Sequence, residues 1–106
     1  MTKVVKVGGA LLQDPVKAVE AIRRIVTDRT AVVHGGGVQI TRMLERMNVR
    51  SVFIEGLRVT DENTLGAVAA ALLGEVHAAL VQELRNQGLP AVGMFGSIHA
   101  SKKSGP

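Results

Sequence analysis

Two short β-branched runs, each ending in a cluster of glycines, constrain this chain more than any other feature. Lys3-Val4-Val5-Lys6-Val7 stops at Gly8-Gly9, and Thr30-Ala31-Val32-Val33-His34 stops at Gly35-Gly36-Gly37. β-Branched residues suit a pleated, half-buried strand, and glycine permits a tight turn or a close backbone approach at its end. Each cluster is followed by a helical signal. Asp14-Pro15 supplies an N-cap and a proline for the first helical position, and Val16, Val19, Ile22 and Val26 then recur at near-helical spacing. Ile40, Met43, Leu44 and Met47 recur at i, i+3, i+4 and i+7, so a second helix starts directly after the triple glycine.

The same alternation continues. Ser51 to Glu55 reads as a third strand leading into an exposed segment, Gly56-Leu57-Arg58-Val59-Thr60. Thr60-Asp61-Glu62 starts a long helix that runs to about Gln87 and is stopped by Gly88 and Pro90. Ala91 to Phe95 reads as a fourth strand, and Gly96 to Pro106 has no periodicity and reads as an irregular tail. Strands alternating with helices predict an α/β fold: an open, mainly parallel sheet with right-handed crossovers and helices on both faces. At 106 residues the chain allows one domain, expected over residues 1–95, with residues 96–106 as the tail. With no Trp, no Tyr and two Phe, the core depends on close packing of aliphatic side chains.

Composition narrows the function. The absence of cysteine removes disulfides, thiolate chemistry and zinc sites of the CxxC kind. The net charge of +4 owes two of its units to Lys102 and Lys103 in the tail, and no basic stripe is interleaved with aromatics, so nucleic acid is not an expected partner. Residues 64–74, the longest uncharged apolar run, are about half of the roughly 20 needed to span a bilayer. The start of the chain does not have the pattern of a signal peptide. The expectation is a cytoplasmic protein with no membrane partner. His77 and His99 lack the spacing and acidic companions of a metal site, and no metal is assigned.

In an open parallel sheet, ligands bind beyond the carboxyl ends of the strands, and both glycine clusters lie at such ends. The second cluster also opens a helix, whose unpaired N–H groups and dipole favour a negatively charged ligand. A lone Gly-Gly is usually just a tight turn, but two clusters at equivalent strand ends point to one site. Its motif is not a P-loop, since no Lys follows Gly9 or Gly37, and not GxGxxG, since Ile40 stands where the third glycine belongs. Lys6 precedes the first cluster, where an ammonium could reach a transferring phosphoryl group or simply be a solvated strand residue. Arg58 follows the third run and could hold a carboxylate by a bidentate fork or lie on the surface. His34 reads as a packed or locally bonded histidine.

Lys6-Val7-Gly8-Gly9, His34-Gly35-Gly36-Gly37 and Gly56-Leu57-Arg58-Val59-Thr60-Asp61, in that order and spacing, resemble the N-terminal half of the acetylglutamate kinases in the amino acid kinase family. The resemblance runs from about Lys3 to Phe95. It implies ATP-dependent phosphorylation of the side-chain carboxylate of N-acetyl-L-glutamate, with Mg²⁺, in arginine biosynthesis. It also implies a catalytic Lys6 that stabilises the transferring phosphoryl group. Gly8, Gly9, Gly35 and Gly36 would cradle the reacting carboxylate, and Arg58 would hold the α-carboxylate. Those enzymes are roughly twice this length and carry the nucleotide pocket in their second half, so this chain alone is expected to be inactive and to bind no cofactor tightly. After Phe95 the family's usual Asp-Gly hairpin is replaced by Gly96-Ser97-Ile98-His99. A non-catalytic module that binds an acidic metabolite, or only assembles with a partner, is the alternative.

The helix over residues 61–87 carries an expectation about assembly. Leu65, Val68, Ala69, Leu72, Val76 and Leu80 form one apolar stripe, expected to cover the sheet. Gly66, Ala67, Ala70, Ala71, Leu73 and Gly74 leave the other side apolar too, with no charge between Glu62 and Glu75. A homodimer through this helix is the expected cover, in line with dimerisation of the resembled enzymes through this lobe.

Overall fold

The computed structural model describes residues 2–96 and 101. The predicted tail, with His99, Lys102 and Lys103, therefore lies outside the described residues except for Gly96 and Ser101. The two glycine-terminated runs are the strands β1 (Lys3–Val7) and β2 (Thr30–His34). They pair in parallel, in register from Lys3 opposite Thr30 to Val7 opposite His34. The crossover between them is α1 (Pro15–Arg23), and its N-cap is Asp14, whose carboxylate accepts from the Lys17 amide.

Val5, Val7 and Val32 on one face of this sheet pack with Val19 and Ile22 of α1 and with Val76, Leu80 and Leu84 of the long helix. Both helices thus lie on one face, whereas the sequence predicts helices on both. The opposite face is open among the described residues, with Val4 66% and Val33 48% exposed. The reason is the third run. It does not extend the parallel sheet but folds back on itself as β3 (Phe53–Ile54) and β4 (Leu57–Arg58), an antiparallel hairpin. Its two-residue turn is Glu55-Gly56, with φ of 51° and 77°. Positive φ at both positions gives the primed turn whose twist matches a hairpin. α2 (Gly37–Arg46) accordingly packs away from the strands, its Ile40 and Leu44 against Ala67 and Ala71 in a second core cluster.

The long helix is continuous over Glu62–Asn86 and is built of α3 (Glu62–Ala69), a π-helical stretch (Ala70–His77) and α4 (Ala78–Asn86). Asp61 caps it by accepting from the Thr64 amide at 2.8 Å, and that bond holds the Asp61 carboxyl below its ordinary range. At its far end Gly88, at φ 89°, closes a Schellman motif, with Leu89 N–H to Leu84 C=O and Gly88 N–H to Arg85 C=O. The buried stripe is Thr64, Ala67, Ala71, Val76, Leu80 and Leu84. This differs from the predicted one: Leu65 (57% exposed) and Ala69 face outward, while Ala67 and Ala71 face the core. The wider π turn accounts for the five-residue step from Ala71 to Val76, where the buried face passes from the second core cluster to the first.

This helix is 25 residues long and its most apolar 18-residue stretch has a mean hydropathy of 1.7, enough by length and composition to cross a bilayer, which the uninterrupted 64–74 run does not suggest. One of its faces packs on both core clusters. The predicted fourth strand does not form a ladder. Residues 91–95 are tied to the helix instead, through Arg85 Nε–H to the Ala91 carbonyl and through Gly93, whose bare backbone lies against His77 and Val81. They stand off β2 across a cavity of about 590 Å³ lined by Val32, His34, His77, Leu84, Val92 and Met94 among others.

Candidate functional site

The glycine turns touch. The Gly35 amide donates to the Val7 carbonyl at 3.0 Å and carries the β1–β2 pairing into the turns. The Gln39 side-chain amide donates to the Gly9 carbonyl at 2.9 Å, which ties the first turn to the helix that the second turn opens. None of these five glycines has a φ in the left-handed region, Gly36 standing near extended at 172°, so glycine is needed here for proximity rather than for a left-handed backbone. A Cβ on Gly9 would lie 3.0 Å from both Gly36 Cα and Gly37 N, and one on Gly36 would lie 2.7 Å from Leu72 Cδ2. Gly8 and Gly37 differ from them. A Cβ at either would meet nothing within 4 Å, so these two line the open side of the turns. Gly37 is therefore a candidate contact that the sequence reading leaves out.

Gly36 is the N-cap of α2 and has no side chain to cap it, so the first-turn amides present unpaired donors at the positive end of the helix dipole. An anion fits there. Lys6 is exposed on the outer face of β1 opposite Val33, two residues before Gly8, at the end of the sheet that carries both turns. Strand alternation puts it with Val4 on the face away from the core.

Arg58 is half-buried, and β4 carries it back onto α2. Its Nη1 donates to Ser51 Oγ at 3.0 Å and its Nη2 to Thr41 Oγ1 at 3.2 Å, while its guanidinium carbon stands 4.7 Å from the centre of the Phe53 ring. The structure thus brings Gly8, Gly9, Gly35 and Gly36 into one pair of turns and fastens Arg58 to the helix those turns open. Lys6 reaches the same end of the sheet from the neighbouring strand.

Sequence reasoning misses one pair. His34 Nε2 and His77 Nδ1 are 3.0 Å apart, and His34 Nδ1 is 2.9 Å from the Gly35 carbonyl. A carbonyl only accepts, so His34 donates through Nδ1 and its Nε2 accepts from His77 in the neutral pair. The ring centroids are 5.2 Å apart, the separation of two rings joined end to end by one hydrogen bond. This bond pins the residue before the second glycine turn to the π-helical stretch. The π shift that turns His77 inward leaves no sequence signal. Among the described residues no three His, Asp or Glu side chains are grouped to hold a metal.

Residues 1–106 match the amino acid kinase family. The chain is 43% identical to the acetylglutamate kinase of Methanopyrus kandleri over 89% of its own length and 36% of that enzyme's. To the acetylglutamate kinase of Rubrobacter xylanophilus it is 46% identical, covering 91% of this chain and 38% of the other. Among solved structures, smu.665 from Streptococcus mutans superposes with a TM-score of 0.63 at 30% identity, over 82% of this chain and 37% of that one. The chain thus spans little more than a third of each relative, rather than the half that the resemblance implies.

Proposed function

The chain belongs to the amino acid kinase family, and from that premise we propose that it is the substrate-binding lobe of an acetylglutamate kinase of arginine biosynthesis. The reaction is transfer of the γ-phosphoryl group of ATP to the side-chain carboxylate of N-acetyl-L-glutamate. A carboxylate oxygen bonds to phosphorus, the bond from phosphorus to the bridging oxygen breaks, and ADP leaves. Positioning and charge stabilisation are most of such a catalysis. The observation that carries the reading is the contact of the two glycine turns beside the uncapped N-terminus of α2, with Arg58 fastened to Thr41 on that same helix.

Each part has a job in that reaction. The turns at Gly8, Gly9, Gly35 and Gly36 cradle the reacting carboxylate, with the Gly35 amide kept by the Val7 carbonyl; Arg58 holds the α-carboxylate, and the Lys6 ammonium meets the charge that develops on the transferring group. ATP and Mg²⁺ are the family enzyme's co-substrate and ion. Among the described residues no three His, Asp or Glu side chains make a metal site of their own. Relatives with an enzymatic name, similar over nine-tenths of this chain, support this reading over a non-catalytic binding module.

The outward face of the long helix supports a homodimer. Leu65 and Leu73 are 57% and 39% exposed there beside Ala69 and Ala70, an apolar strip that a second copy would cover. We assign the protein to the cytoplasm, because a helix that packs one face on two core clusters and carries Glu75 paired to Arg46 at 2.6 Å suits a folded domain better than a bilayer. Titration of the ¹⁵N-labelled chain with N-acetyl-L-glutamate tests the function. Shifts centred on Gly8, Gly9, Gly35, Gly36 and Arg58 are expected, and a saturating titration that moves none of them refutes it.

A further inference from the structure

We infer that Thr41 and Ser51 are positioning residues for substrate: their hydroxyls, with the Phe53 ring, fix the Arg58 guanidinium so that its remaining N–H groups meet the α-carboxylate. The inference rests on the proposed role of Arg58 but assigns new residues to it. A guanidinium on a four-bond stem has many rotamers, and holding it in one of them before substrate arrives removes that ordering cost from binding. Here each terminal nitrogen is held by a separate element, Nη1 by Ser51 ahead of β3 and Nη2 by Thr41 on α2. The plane is held by Phe53, the register partner of Arg58 across the hairpin, at 4.7 Å.

The hydroxyls are suited to this in a way carboxylates would not be. A neutral acceptor takes one N–H without cancelling the charge, so the guanidinium keeps its full attraction for an anion. Of five donors two are used, and three remain, enough for one bidentate fork. Thr41 lies on the helix that Gly36 and Gly37 open, so the same rigid element sets both the glycine turn and the arginine. That fixes the distance between the two carboxylate-binding ends of the site, which is what would select a five-carbon diacid by length.

The test uses two ligands on the intact chain, followed by NMR: N-acetyl-L-glutamate, and N-acetyl-4-aminobutyrate, which is the same molecule without the α-carboxylate. The double variant Thr41→Val with Ser51→Ala should bind N-acetyl-L-glutamate about tenfold more weakly and leave N-acetyl-4-aminobutyrate unchanged, while Thr41→Ser with Ser51 intact restores wild-type binding. In the ligand-free chain the Arg58 Nη signals, separate in the wild type, should average in the double variant. Equal weakening of both ligands means the hydroxyls only support the fold, and unchanged binding or unchanged Nη signals means they do not hold the arginine; each overturns the inference. The parent reading fails separately, if Arg58→Lys keeps the wild-type preference for the α-carboxylate.

Discussion

Replacing Gly9 by alanine tests whether the two glycine turns meet as described. The new methyl would stand 3.0 Å from Gly36 Cα and from Gly37 N, and 2.8 Å from Gln39 Oε1. The Gln39 oxygen sits at the end of a flexible side chain and can move. The backbone atoms cannot yield without parting the turns. Overpacking of this kind costs about 1–3 kcal/mol, and the strained Gln39 bond to the Gly9 carbonyl adds about 1 kcal/mol. Stiffening the unfolded chain returns about 0.4–1 kcal/mol. The net is a loss of about 2 kcal/mol, or a fall in Tm of about 10 °C for a domain of this size. Gly8→Ala is the control: its methyl meets nothing within 4 Å, so the stiffening of the unfolded chain acts unopposed and stability should rise by about 0.4–1 kcal/mol. Far-ultraviolet circular dichroism during thermal and urea unfolding is the fitting assay for a chain with no Trp and no Tyr. Equal stability of Gly9→Ala and Gly8→Ala would show that the turns are not in contact.

Arg58→Ala should weaken N-acetyl-L-glutamate binding by about 2 kcal/mol, whereas Arg42→Ala, which loses only a bond to Gln13 on the polar side of α2, should leave it unchanged; calorimetry giving equal losses would refute the assignment. Ala70→Glu with Leu73→Glu should make the protein monomeric by light scattering, and an unchanged dimer or a wild-type monomer at high concentration would remove the proposed interface; Ala71 is fully buried and so unsuitable for this test. The depressed Asp61 carboxyl favours the fold above its unfolded value of 3.8, and this benefit is lost as pH falls through the lower folded value. Asp61→Asn should therefore be less stable than wild type at neutral pH and converge with it in strong acid, and a gap in urea midpoint that persists there would contradict the linkage.

The parts of this fold that the sequence discloses are those set by local chemistry. β-Branched runs before glycine give β1 and β2, Asp14-Pro15 gives the start of α1, and Asp61 and Gly88 bracket the long helix within one residue at each end. What it conceals depends on distant partners. Val52-Phe53-Ile54 reads as a strand, but whether it joins β1 and β2 or turns back is decided at Glu55, where a non-glycine residue takes φ 51°. Residues 91–95 have strand composition, yet Gly93 and Leu89 fasten them to the helix. The π stretch shifts the buried face by one residue, which moves Leu65 out and turns His77 toward His34. At the candidate site the glycines are legible because they follow β1 and β2, and Lys6 and Arg58 because each stands two residues from a glycine turn. Gln39, Thr41 and Ser51 are not, because a single amide or hydroxyl on a helix or in a loop carries no signal until its partner is placed.

The proposed function meets its most direct test in a chimera. Residues 1–95 of this chain would replace the matching segment of one of the acetylglutamate kinases it resembles, so that the nucleotide half comes from a proven enzyme. With ATP, Mg²⁺ and N-acetyl-L-glutamate, the chimera should form an acyl phosphate that hydroxylamine traps as the hydroxamate, while the 106-residue chain alone forms none. Lys6→Ala should lower the chimera's kcat by about 100-fold or more, as loss of a group that stabilises transition-state charge does. A folded chimera that binds ATP but makes no hydroxamate, or one whose rate is indifferent to Lys6, would contradict the assignment of this lobe.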